Sequence, residues 1–123
     1  MSIRTLRATV VAALCTLGSA WAQDFPEGAT TPTAAELKQR LGSNVFSVKL
    51  ADGSSWRLEF KSTGYFWVDT SGGFRGTGEW TAEDGKICSQ LRGRDRNCNE
   101  VRIHQNLLTL KRDSGEIVQY VPR

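Results

Sequence analysis

Phe46-Ser47-Val48-Lys49-Leu50, then Asp52-Gly53, then Trp56-Arg57-Leu58-Glu59-Phe60: this stretch sets the fold class. From Val45 onward the hydrophobic period is two. Phe46, Val48 and Leu50 alternate with Ser47 and Lys49, and Trp56, Leu58 and Phe60 alternate with Arg57 and Glu59. Successive side chains of a strand point to opposite faces, so this pattern makes two half-buried strands. Asp-Gly between them is a hairpin turn. The same alternation continues downstream. Ser62 to Gly64 turns the chain into Tyr65 to Asp69, and Ser71 to Gly73 leads into Phe74 to Thr81, with Phe74, Gly76, Gly78 and Trp80 on one face. Asp84-Gly85 precedes Lys86 to Leu91. Cys98 to His104 and Leu107 to Arg112 join at Gln105-Asn106, and Asp113 to Glu116 leads to Ile117 to Val121. The expectation is an all-β domain of about eight short antiparallel strands, either a small up-and-down barrel or a strongly curled sheet. The barrel is favoured because closure removes exposed edges. Gly76 and Gly78 on the inner face suit a tight bend or a close approach. Eight strands enclose an interior that side chains just fill, or that holds one small ligand.

Upstream the period changes. Thr33 and Glu36 form a capping box, and Ala34 to Leu41 are mostly helix formers. Gly42 stands where a left-handed C-terminal residue belongs. A helix this short is not stable alone, so Leu37 and Leu41 are expected to dock on the sheet. Gln23 to Pro32 carries Pro26, Gly28 and Pro32 without periodicity and reads as a flexible lead-in. Residues 1–22 read as a cleaved signal peptide: Arg4 and Arg7 are basic, Ala8 to Leu17 is a short apolar run, and Ala20-Trp21-Ala22 is a cleavage site. That run is far below the roughly 20 residues needed to span a bilayer, so no transmembrane segment is expected in the mature form. The organisation is thus a leader (1–22), a lead-in (23–32) and a single small β domain (33–123), located in the periplasm or secreted.

Charge and cysteines are read on the mature chain. With Arg4 and Arg7 removed from 16 Lys and Arg, 14 remain against 13 Asp and Glu, a net +1. This argues against a nucleic-acid or anionic-membrane partner. Cys15 lies in the leader, with Leu14 before it where a lipoprotein site needs a small residue. Cys88 and Cys98 are then an even pair in an exported chain and are expected to form one disulfide. On the chain-entropy model the closure contributes about 2.5–3 kcal/mol.

Several residues could carry chemistry. His104 is the only histidine, with Glu100 and Arg102 on its strand face. A carboxylate beside a histidine can serve catalysis, but this set lies on an outward polar face beside a turn, and no catalytic residue is assigned. Cys88, Cys98 and His104 lack metal-site spacing, and oxidation competes for the cysteines, so no metal or other cofactor is expected. Arg92, Arg94 and Arg96 sit inside the disulfide loop and form a candidate grip for an anion or partner, although a solvated hairpin tip explains them more simply. Tyr65 and Trp67 face opposite to Phe66 and Val68, so one pair faces outward; Tyr65 and Trp67 are the candidate aromatic patch. No nucleophile elbow, phosphate loop or dinucleotide fingerprint occurs.

Gly78-Glu79-Trp80, then Gly85-Lys86-Ile87-Cys88, then Cys98 resembles the pattern of small exported proteobacterial proteins made of domains of unknown function. The resemblance implies an exported β domain and no particular activity. Lipocalin-like barrels also carry a Gly-x-Trp, near their first strand rather than mid-chain. The functional expectation is a non-enzymatic binding or interaction module that presents the arginine loop and an aromatic patch to an envelope protein or an anionic ligand. The alternative is a carrier of a small apolar ligand with a lipocalin-like interior; a remoter one is an enzyme using His104. A cavity beside Gly76 and Gly78 favours the carrier. A filled interior with exposed Tyr65 and Trp67 favours the partner module.

Overall fold

A computed structural model describes residues 23–123; the signal-peptide reading of 1–22 lies outside the described residues. One helix, α1 (Ala34–Leu41), precedes eight strands: β1 (Asn44–Lys49), β2 (Ser55–Phe60), β3 (Tyr65–Thr70), β4 (Arg75–Glu83), β5 (Lys86–Leu91), β6 (Asn97–His104), β7 (Leu107–Lys111) and β8 (Ile117–Pro122). Each strand pairs antiparallel with the next, and β8 returns to β1 through Phe46 opposite Pro122 and Ser47 opposite Val121, closing a barrel. Of the two expected architectures, the closed barrel is the one formed. No helix among the described residues is long and apolar enough to cross a membrane.

The alternation decides which side chains face the lumen. Phe46, Val48, Leu58, Phe60, Phe66, Val68, Trp80, Ile87, Val101, Leu108, Leu110, Val118 and Tyr120 are buried together. An up-and-down barrel has two unlike ends. The β1–β2, β3–β4, β5–β6 and β7–β8 hairpins lie at one end, and α1 with the β2–β3, β4–β5 and β6–β7 turns lies at the other. Leu37 and Leu41 are fully buried, which seals the helical end. Burying each contributes about 1.5–3 kcal/mol.

The capping box forms: the Thr33 hydroxyl accepts from the Glu36 amide at 3.1 Å, and the Glu36 carboxylate accepts from the Thr33 amide at 3.4 Å. The helix ends differently from expectation. Gly42 has φ −56°, and the left-handed residue is Ser43 at φ 65°. Glycine is needed at 42 for space, because a Cβ there would lie 2.9 Å from the Lys38 carbonyl oxygen.

Two further expectations are revised. Phe74 does not begin β4. It closes the β3–β4 turn, where the Thr70 amide donates to the Phe74 carbonyl at 2.8 Å and the Thr70 hydroxyl accepts from the Phe74 amide at 3.0 Å. The lead-in 23–32 is not a free tether. The Gln23 amide donates to the Gly115 carbonyl at 3.1 Å, Thr30 and Ile103 exchange both backbone bonds at 2.9 and 2.8 Å, and the Pro32 carbonyl accepts from Gly85 at 2.8 Å. Its prolines and glycine shape a strap across β6 to β8.

Candidate functional site

The lumen is not filled. A cavity of about 380 Å³ runs from the middle of the barrel to the hairpin end, walled by Leu58, Val68, Ile87, Leu91 and Leu110 and floored by Phe60, Phe66 and Tyr120. The inward face of β4 shapes one wall. A Cβ on Gly78 would lie 2.1 Å from the Gln90 carbonyl oxygen and 2.7 Å from the Phe66 ring; one on Gly76 would lie 3.0 Å from Leu91 Cδ2. Phe66 and Leu91 therefore fold back over bare backbone instead of crossing the lumen, the close approach that glycine in a strand permits.

The floor is aromatic. Phe60 meets Trp80 edge-on at 5.4 Å, and Tyr120 lies 5.6 Å from Phe46 and 6.2 Å from Phe60, centroid to centroid. The Trp80 indole donates to the Lys61 carbonyl at 2.9 Å, so this buried donor is paired. Burial pushes the Tyr120 phenol up from its ordinary pKa, so its hydroxyl stays neutral.

The mouth is polar. The Arg94 guanidinium lies 5.0 Å over the Phe74 ring, and that of Arg112 lies 5.0 Å over Trp56. Arg112 also bridges to Glu116 at 2.5 Å. The other Glu116 oxygen accepts from the Ala51 amide at 2.7 Å. That amide bond, then Arg112, holds the Glu116 carboxyl below the usual range. Asp113 accepts from Asn97 at 2.9 and 3.1 Å and from Asn99 at 3.0 Å. An apolar shaft is thus capped by guanidiniums stacked on rings and by one carboxylate held by two amides.

The three loop arginines are not brought together. Arg94 reaches the mouth. Arg92 borders a shallow outer groove with Tyr65, Thr77 and Gln90. Arg96 donates to the Thr81 hydroxyl at 3.1 Å on the outer wall. The three guanidiniums thus take separate neighbours, because residues 92–96 form the loop between β5 and β6 and do not share one strand face. Tyr65 and Trp67 do face outward, 54% and 50% exposed, with Lys61 Nζ 5.5 Å over the Trp67 ring. Cys88 and Cys98 stand opposite each other in β5 and β6 and are disulfide-bonded. Glu83 lies 3.7 Å from Cys88 Sγ, but two bonded sulfurs offer no thiolate to a metal. His104 ends β6 at the helical end, away from the cavity mouth. Arg102 is engaged elsewhere: it donates to the Val101 carbonyl at 2.7 Å and lies 5.1 Å over Phe25.

Phe74, Arg112, Asn97, Asn99, Asp113 and Tyr120 line the cavity although they belong to no motif of the sequence. One signal was present: Asn97 and Asn99 continue the inward register of Val101 and Ile103, and polar residues on an inward face mark the wet end of a barrel. Compared with known proteins, the chain matches no family model, no curated protein and no solved structure.

Proposed function

We propose that this protein is a non-enzymatic binding protein that takes a small apolar or amphiphilic molecule into its barrel. The observation that carries this reading is the cavity of about 380 Å³, with apolar walls and with its polar lining residues at the hairpin end. Ligand pockets span roughly 300–1,000 Å³ and combine apolar walls with a few placed polar groups. The mouth groups are already engaged, Asp113 with two amides and Arg112 with Glu116. That arrangement suits a fixed rim better than proton transfer. The working compartment is the periplasm or the exterior; the leader-like 1–22 and the Cys88–Cys98 bond support it.

Titration with the apolar fluorophore N-phenyl-1-naphthylamine tests the reading. One saturable equivalent is expected, lost in Val68→Trp, which fills the shaft, and kept in Trp67→Ala. Absence of saturable binding, or binding indifferent to Val68→Trp, overturns it.

A second reading rests on the exposed Tyr65 and Trp67, half-exposed aromatics on the outer face of β3. Such residues anchor protein partners. A partner whose binding is lost in Tyr65→Ala/Trp67→Ala and unaffected by Val68→Trp would support it.

A further inference from the structure

Among the groups lining the cavity, Tyr120 is distinctive. It is only 6% exposed, and its ring packs against those of Phe46 and Phe60, which also touch each other. Its hydroxyl makes no hydrogen bond to any described residue. Yet no fully enclosed side-chain oxygen or nitrogen among the described residues lacks a partner. The Tyr120 hydroxyl therefore borders open space, and the open space that Tyr120 lines is the cavity. A hydroxyl that faces the space inside an apolar cavity is free to hydrogen-bond whatever occupies that space.

The surroundings define that something. Among the described residues, the cations that line the cavity are Arg94 and Arg112, and both stack at the mouth, away from the aromatic floor. A carboxylate or phosphate pushed to the floor would be desolvated without a counter-charge. The phenol itself stays un-ionised there. The rings around it are apolar, so the ligand's body must be apolar too. Resting on the binding reading above, we propose that the cavity selects an apolar molecule carrying one neutral oxygen, a hydroxyl or a carbonyl, at its buried end, hydrogen-bonded by Tyr120.

The experiment compares two molecules of one shape, naphthalene and 2-naphthol, as displacers of bound N-phenyl-1-naphthylamine, in the protein and in Tyr120→Phe. The variant removes one oxygen and keeps the ring. 2-Naphthol should lose about tenfold in affinity in the variant, the worth of one neutral hydrogen bond. Naphthalene should be unchanged or slightly tighter. Without any substitution, the Tyr120 ring resonances should move differently for 2-naphthol and for naphthalene, which guards against a variant that folds poorly. Equal losses for both displacers, or no loss for 2-naphthol, overturn the assignment of Tyr120 while leaving the cavity reading intact. If the fluorophore itself fails to bind the unaltered protein, the cavity reading falls and takes this inference with it.

Discussion

The Arg94 guanidinium lies over the Phe74 ring, 5.0 Å from its centroid, and so ties the β5–β6 hairpin to the β3–β4 turn across the cavity mouth. An exposed stack of this kind contributes about 0.5–1 kcal/mol. Its consequence is positional: it narrows the entrance without closing the shaft. Arg94→Ala should therefore speed both entry and release of N-phenyl-1-naphthylamine by stopped-flow fluorescence, with little change in the thermal midpoint. Arg92→Ala and Arg96→Ala point elsewhere and should leave both rates unaltered. Equal effects from all three substitutions would mean that loop charge, not the stack, governs entry.

The disulfide joins directly opposed residues of β5 and β6 and pins the hairpin that carries Arg94 and Asn97. Replacing both Cys88 and Cys98 with Ala should lower stability by roughly 2–3 kcal/mol in denaturant titrations, chiefly by freeing the unfolded chain. Two reactive thiols in the folded, unreduced protein would refute the bond.

Gly78 and Gly76 should respond differently to alanine. At 78 the new methyl meets backbone, the Gln90 carbonyl oxygen at 2.1 Å; at 76 its nearest neighbour is the tip of Leu91 at 3.0 Å. Backbone cannot swing aside, so Gly78→Ala should cost at least the roughly 1–3 kcal/mol typical of overpacking, and Gly76→Ala distinctly less. Urea midpoints measured side by side check the order.

Glu116 sets an acid limit. Its carboxyl is held below the usual range first by the Ala51 amide and then by Arg112. A lowered folded-state pKa gives stability that is full above the unfolded value of about 4.3 and is lost as pH falls through the lower folded value. Thermal midpoints should thus drop more steeply below about pH 4 in the unaltered protein than in Glu116→Gln. Parallel curves would show that the corner between the β1–β2 and β7–β8 hairpins does not depend on this charge.

The barrel was legible because alternation is a local property. Phe46 to Phe60 announces two strands, and turn residues at short intervals announce the rest. The outward placement of Tyr65 and Trp67 was narrowed to two possibilities and settled by packing, since Phe66 and Val68 had a core to join. The cavity was not legible. Whether inward side chains meet across a lumen depends on how Phe66 and Leu91 fold over Gly76 and Gly78, which is a tertiary matter. The separate neighbours of Arg92, Arg94 and Arg96 depend on the path of the loop between β5 and β6, which the sequence pattern does not specify. Gly42 was legible as the helix terminus, whereas the left-handed φ at Ser43 was not, since the rule for helix ends favours glycine there. The strap at 23–32 owes its order to partners about 70 to 90 residues away, Ile103 and Gly115 among them.

Methyl and indole NMR signals followed during addition of N-phenyl-1-naphthylamine test the central claim most directly. The shaft methyls of Leu58, Val68, Ile87, Leu91 and Leu110 should shift together and saturate at one equivalent, while the Trp67 indole on the outer wall stays still. Shifts confined to Tyr65 and Trp67, with the shaft methyls unmoved, would contradict the account.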